Sequence, residues 1–406
     1  MKLKMFNEMN IRLSKIDNGI DWLFFLLSPL VSIPILIWGV LKGKKNNLVL
    51  ISLAMALIGF VFPPFADLYR HTKDYLYWVD HGKDGFLLMK GQIDFLFYSM
   101  SNMFAKNHIP FEYIRSVFVF ICYQISFFLY RKSVEIKNVD WDSQEAQYLF
   151  WIFFLSVPFI WIVNGLRMAT ACYIAILGWY YYYNRNFAFG LLFYILSLTL
   201  HFGALMFFPL FLCINIPALK FSRIQVVMLS VLILGLGGIL LKLLPASLIE
   251  QLNMEKNVDL YMNRSQKEFG DTMSFNGFIA MWLERIMIVY VFYYLIREWK
   301  MINFKDSFLI VVCFFAWFMV LPFTILFQKL SLFIIPIILY LIVKNSSDIF
   351  FLKKIKLCCI ISFCAYVYGY RAPLMHTPIY KLLVSPAYVM MNVNTKTTFE
   401  NSKANY

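Results

Sequence analysis

The chain is poor in charge, and poorest in acid: 23 Asp and Glu stand against 37 Lys and Arg in 406 residues, with only five histidines. It lacks any polar stretch long enough for a soluble domain. The longest run over about 66–110, 244–275 and 371–406, each too short for an independent core. Its apolar runs lack the alternation of a β-barrel strand, which excludes that class. Cysteines Cys122, Cys172, Cys213, Cys313, Cys358, Cys359 and Cys364 all fall within apolar runs, where cysteine behaves as a small hydrophobe. The adjacent pair Cys358 and Cys359 does not make an ordinary thiolate site, and His71 with His81 is too sparse a set to hold a metal. No disulfide, metal or cofactor is expected. The apolar run 22–41 is too long for a signal-peptide core and leads into Lys42, Gly43, Lys44 and Lys45 rather than a cleavage site.

What the chain does have is grease, with 61% of its residues hydrophobic. Long apolar runs recur near 22–41, 48–65, 111–130, 148–163, 167–183, 224–243, 276–296, 307–324, 330–343 and 357–370. A helix needs roughly 20 such residues to cross the bilayer core. The expected fold is all-α, a single polytopic membrane domain over 1–406 with about 11–12 transmembrane helices. The run 187–214 is too long for one span, at about 42 Å as a helix. Split at His201, it becomes a short helical hairpin over 187–215.

Lys and Arg density decides between these two threadings, because cytoplasmic loops carry the excess. With the hairpin, loops 42–47, 131–147, 184–186, 217–224, 297–306 and 344–356 fall on one side. They carry Lys and Arg at more than twice the density of the loops and tails on the other. Without it the two sides are nearly equal. The net charge of +14 is therefore read as topology, and nucleic acid is not an expected partner; the lipid bilayer is. External loops 66–110 and 244–275 and a polar tail 371–406 follow. The N-terminal tail, with Lys2, Lys4, Arg12 and Lys15, falls outside in this threading. Residues 92–105 carry apolar side chains at helical spacing and read as an interfacial helix. The aromatic run 179–183 reads as an interfacial belt.

The same threading gathers the chain's isolated polar residues on the outer side. An ionisable group at membrane depth costs several kcal/mol and is a functional-site hypothesis by default. Pro63 and Pro64 stop one helix, and Asp67, Arg70, His71 and Asp74 then share a helical face by spacing. Asn164 precedes Arg167, which opens a span although cations are unfavourable at helix N-termini. A phosphate ligand or headgroup snorkelling would account for it. His201 lies alone in an apolar run, as a packed residue or a general base. Glu284 and Arg285 sit mid-span as an ion-pair candidate, and Lys329 precedes a span as a further phosphate contact.

The order Arg70, Asp74 and Tyr75, then Arg167 with Ala169 and Ala171, then His201 with Gly203 and Ala204 resembles the EpsG-like branch of the O-antigen and exopolysaccharide polymerases (Wzy-type). The likeness covers roughly 48–215 closely and the rest by span layout. The local sequence Arg70-His71-Thr72-Lys73-Asp74 departs from the Gly-Thr-Asp often found after that first arginine. The resemblance implies a glycosyltransferase acting on undecaprenyl-diphosphate-linked repeat units at the outer face of the bacterial cytoplasmic membrane. It implies Arg70, Arg167 and Lys329 on the diphosphate and His201 or Asp74 as base. Asp67, His71, Tyr75, Asn164, Glu284 and Arg285 are supporting residues, and a flippase and a chain-length regulator are partners. A lipid-linked-sugar transporter and a membrane O-acyltransferase are the alternatives.

Overall fold

The computed structural model describes residues 19–81, 95–216, 222–242, 275–297, 299, 302–321, 324–346 and 348–403. They are helical, with no strand among them. The expected loop 244–275 lies almost wholly outside these residues. In chain order the helices are α1 (Pro29–Leu41), α2 (Asn47–Val61), α3 (Ala66–His81), α4 (Phe95–Lys106), α5 (Phe111–Lys137), α6 (Gln144–Leu155), α7 (Phe159–Asn164), α8 (Leu166–Tyr183) and α9 (Phe187–Leu200). There follow α10 (Phe208–Leu212), α11 (Arg223–Lys242), α12 (Phe275–Arg297), α13 (Phe304–Val320), α14 (Thr324–Asn345), α15 (Ile349–Gly369), α16 (Arg371–Met375), α17 (Pro386–Met391) and α18 (Thr395–Lys403).

The chain is an all-helical polytopic membrane protein. Among the described residues three helices are long and apolar enough to cross a membrane: Phe111–Lys137, Gln144–Asn164 and Phe327–Asn345. The bent pair of α2 and α3 passes the same test only when taken together, and α2 alone supplies its apolar part. The other expected spans coincide with helices that are shorter, less apolar or described in part, so among the described residues the count of 11–12 is not reached by length and composition. Two compact units interleave along the chain: Met1–Phe150, Phe159–Thr170 and Ala372–Tyr406 form the first, and Trp151–Pro158 with Ala171–Arg371 form the second.

In the first unit, the expected span 22–41 is not continuous. Ser28 is extended (φ −156°, ψ 97°) and Pro29 opens α1, because proline drives the residue before it out of the helical region. Lys44 Nζ then reaches Asp21 Oδ2 at 3.1 Å. A straight helix would hold residues 21 and 41 about 30 Å apart, so the chain doubles back at Ser28. The N-terminal tail 1–18 lies outside the described residues, while Asp21 sits beside the 42–47 loop. Loops 42–47 and 131–147 meet there too, with Lys45 over the Trp141 ring at 4.2 Å and Gln147 Nε2 donating to Leu41 O at 3.1 Å.

The second unit contains the predicted break at His201. His201 is extended (φ −156°, ψ 118°) at the end of α9, and a 3-10 turn Phe202–Phe207 leads into α10. The Tyr194 and Phe211 ring centroids are 4.5 Å apart, and the Tyr194 hydroxyl donates to Ala204 O at 3.3 Å. A straight helix would separate 194 from 211 by about 25 Å, so this is a hairpin. Glycines let α9 approach α8 closely. A Cβ at Gly190 would stand 2.7 Å from Tyr182 Cβ and 2.9 Å from its backbone, and one at Gly178 would stand 2.9 Å from Gly190 O. Gly190→Ala should therefore cost about 1–3 kcal/mol of overpacking strain, read as a lower unfolding temperature in detergent. An unchanged melt would show that the two helices part without cost.

The run 179–183 is not a simple belt. Trp179 stacks on Tyr183 at 5.1 Å, and Tyr183 donates to the fully buried Asp306, which also pairs with Lys344 at 3.0 Å. Arg223 Nη2 donates to Arg297 O at 2.9 Å, and Lys354 lies over the Tyr294 ring at 4.6 Å. Loops 184–186, 297–306 and 344–356 share one end of this unit through the Asp306 cluster. Arg223 joins the start of α11 to the end of α12 in the same region. Three of the expected basic loops thus lie together within this unit.

Candidate functional site

The first unit brings together seven of the residues singled out from the sequence. After Val61 the chain turns through Phe62, Pro63 and Pro64, and α3 leaves α2 at 72°. Arg115, buried in α5, donates through Nη2 to Phe60 O at 2.6 Å and so satisfies an open carbonyl of α2's last turn. Asn164, at the end of α7, accepts from Leu68 N at 3.3 Å and caps α3 from a distance. Tyr75 donates to Ile109 O at 2.5 Å, tying α3 to the segment before α5. This polar helix is therefore held at both ends.

Helix α3 buries Leu68, His71, Thr72, Tyr75 and Trp78. The spacing of Asp67, Arg70, His71 and Asp74 is as expected, yet burial divides them. His71 turns inward at 3% exposure, Arg70 stays 61% exposed by side chain, and Asp67 and Asp74 are intermediate. Asp67 Oδ1 pairs with Arg70 Nη2 at 2.7 Å, and its Oδ2 lies 3.4 Å from His71 Nε2. An exposed pair such as Asp67 and Arg70 contributes at most about 1 kcal/mol, so Arg70 is readily redirected to a ligand. Among the described residues Asp74 makes no hydrogen bond or ion pair.

Arg167 opens α8 with 8% of its surface exposed. Its Nη1 donates to the Tyr98 hydroxyl at 2.8 Å, and its guanidinium lies over the Phe97 and Tyr98 rings at 5.4 and 5.1 Å. Both rings belong to α4, and Phe97 also meets the edge of His71 at 5.1 Å. Helix α4 is amphipathic as expected, but it buries Phe97, Ser101, Asn102 and Ala105 and leaves Phe95 and Met103 exposed. Apolar side chains thus point outward, as an interfacial helix requires.

The electrostatics follow from this packing, and α3 is too polar to lie within a span. Burial opposes the charge on Asp67, but His71, Arg70 and Arg167 outweigh it and hold its pKa at about 2. For His71, burial pushes the imidazole below its ordinary 6.5. Arg167 and Arg70 add to that, while Asp67 works against it. The result is a neutral histidine beside a carboxylate and two guanidiniums.

The sequence model of the EpsG family matches residues 48–383. The chain belongs to the EpsG family. No curated protein and no solved structure matches it significantly. Membership carries an exopolysaccharide or O-antigen polymerase-like function and a glycosyltransferase-like activity. The matched span of this EpsG chain takes in α2 to α16 and stops short of α17 and α18. Helix α18 nevertheless packs on α3, where Phe399 stacks on Tyr69 at 4.5 Å. Its first residue, Thr395, donates to the buried Glu112 at 2.5 Å.

The remaining sequence candidates belong to the second unit. His201 Nδ1 accepts from Gly203 N at 2.9 Å and caps the 3-10 turn. Arg285 is buried over the Trp282 and Phe327 rings at 5.1 and 5.2 Å, and Lys329 is half-buried. The side chain of Glu284 lies outside the described residues. Sequence reasoning passed over Tyr98, Glu112 and Arg115. The last two are charges at i, i+3 inside an apolar run, the same signal that singled out Arg167.

Proposed function

We propose that this EpsG chain joins undecaprenyl-diphosphate-linked oligosaccharide repeat units into a polysaccharide at the outer face of the bacterial cytoplasmic membrane. Arg167 and Arg70 would bind the diphosphate of the donor. The observation that carries this reading is the guanidinium of Arg167, ordered by two aromatic rings and a tyrosine hydroxyl with Arg70 acting on the same carboxylate, Asp67. A diphosphate leaving group develops charge as the glycosidic bond breaks, and fixed cations aimed at it lower that barrier without reorganisation. The Lys and Arg density supports the outer face, since it puts α3, Asn164 and Arg167 opposite the basic loops.

The sequence nominates His201 and Asp74 for the proton of the attacking hydroxyl and Lys329 as a further cation, on residue chemistry alone. A flippase and a chain-length regulator are the proposed partners. One observation favours a second reading, transport of a lipid-linked sugar: the helix broken at His201, a device transporters use. Purified chain in liposomes, given undecaprenyl-diphosphate-linked repeat units, separates the two. Longer lipid-linked glycans are the expected result. Relocation of single units without elongation would establish transport instead.

A further inference from the structure

We infer that His71 is the proton acceptor for the attacking sugar hydroxyl and that Asp67 orients it, an assignment that rests on the polymerase reading above. In the step, the acceptor oxygen bonds to the donor's anomeric carbon. The bond from that carbon to the diphosphate oxygen breaks, and its electron pair leaves with the diphosphate. The hydroxyl proton passes to Nδ1 of His71 and is released to water as product departs.

Geometry selects this residue. Asp67 Oδ2 stands 3.4 Å from Nε2, so the tautomer with its proton on Nε2 faces the carboxylate and leaves a lone pair on Nδ1. A carboxylate behind one ring nitrogen and a substrate hydroxyl before the other is the general arrangement of an oriented base. Both ring nitrogens are buried without a hydrogen bond among the described residues; Nε2 has the Asp67 carboxylate beside it, so Nδ1 is the one left for a substrate. A buried polar atom left unpaired loses its hydration without compensation, and native proteins seldom leave one without reason. A donating sugar hydroxyl would satisfy it.

The groups acting on the ring are Asp67 and Arg70 from α3 and Arg167 from α8. Helix α4 presents Phe97, and α7 presents Asn164, already engaged with Leu68. The neutral imidazole that results is the form that accepts a proton. By contrast, His201 uses its Nδ1 as a cap.

The test uses full-length protein in liposomes with undecaprenyl-diphosphate-linked repeat units, measured across pH. His71→Gln cannot accept the proton and is expected to lose about 10²–10⁴-fold in elongation, with binding of the repeat unit retained. Asp67→Asn removes the group that favours the charged imidazole, so the acid limb of kcat/KM should move to lower pH while the rate at neutral pH falls. A merely structural Asp67 would leave that limb in place. Wild-type elongation by His71→Gln overturns the assignment, as does an unmoved acid limb in Asp67→Asn. If His71→Gln fails to accumulate, the Asp67→Asn profile alone decides. Wild-type protein that does not elongate at all overturns the polymerase reading and this inference together.

Discussion

Arg167→Lys is expected to cut elongation by roughly 10- to 100-fold, although it keeps the positive charge. A hydrogen bond to a charged group is worth about 1.5–3 kcal/mol net, and about 1.4 kcal/mol is a factor of ten. Lysine keeps neither the geometry of the bond to Tyr98 nor the ring stacking at this position. Its ammonium is compact and strongly hydrated, so it can neither stack on two rings nor present a planar fork to a phosphate. The structure gives Arg167 both kinds of partner: the Phe97 and Tyr98 rings at 5.4 and 5.1 Å, and the Tyr98 hydroxyl at 2.8 Å. Its position supplies the second argument. The N-terminal turn of α8 repels a cation, and burial to 8% exposure adds a desolvation cost. Snorkelling to headgroups would need an exposed side chain and would tolerate lysine. Arg167→Ala should fall further than Arg167→Lys, while Tyr98→Phe should weaken diphosphate binding less than either. Repeat-unit elongation, normalised to protein amount and melting temperature, measures all three. Full activity in both arginine variants with intact protein would remove Arg167 from the site.

The parts legible in the sequence were those with a local cause. Pro63 and Pro64 end α2 because proline cannot continue a helix. His201 with Gly203 breaks the run 187–214 because an unbroken helix of that length overshoots the bilayer core. The break at Ser28 had the same kind of signal, Ser28 before Pro29, but it lay inside a run of plausible length. The extended backbone at Ser28 and the contact between Asp21 and Lys44 expose it. Burial was the least legible property. Spacing alone put Asp67, Arg70, His71 and Asp74 on one face, and tertiary packing against Phe97 then took His71 inward. No one-dimensional pattern pairs Tyr98 with Arg167, 69 residues apart, or links Thr395 to Glu112 across 283. Arg115 was missed for a different reason. Its charge was visible, but its partner is a backbone carbonyl, Phe60 O, which carries no sequence signature.

Asp306→Ala should destabilise the protein by about 3–5 kcal/mol, the range for removing one member of a buried ion pair. Asp306 is fully buried at the first turn of α13, where the helix dipole favours an anion, and Lys344 sits in the last turn of α14, where it favours a cation. The carboxylate receives Lys344 Nζ at 3.0 Å, Asn345 Nδ2 at 2.8 Å and the Tyr183 hydroxyl. Asn345 in turn accepts from Asn303 N at 3.0 Å, fixing the start of α13. Alanine leaves three donors facing a void, so the loss is not one bond but the stranding of a partly buried ammonium. Asp306→Asn keeps the shape and one acceptor, and should lose less. The sharper test is the double variant. Removing Lys344 as well takes away the stranded charge, so Asp306→Ala with Lys344→Met should be less destabilised than the two single variants summed. Thermal unfolding in one detergent at fixed lipid content measures each corner of this cycle. Additive losses would mean that the cluster packs rather than pairs. An Asp306→Ala melt equal to wild type would mean that the three helix ends are held together by their apolar faces alone.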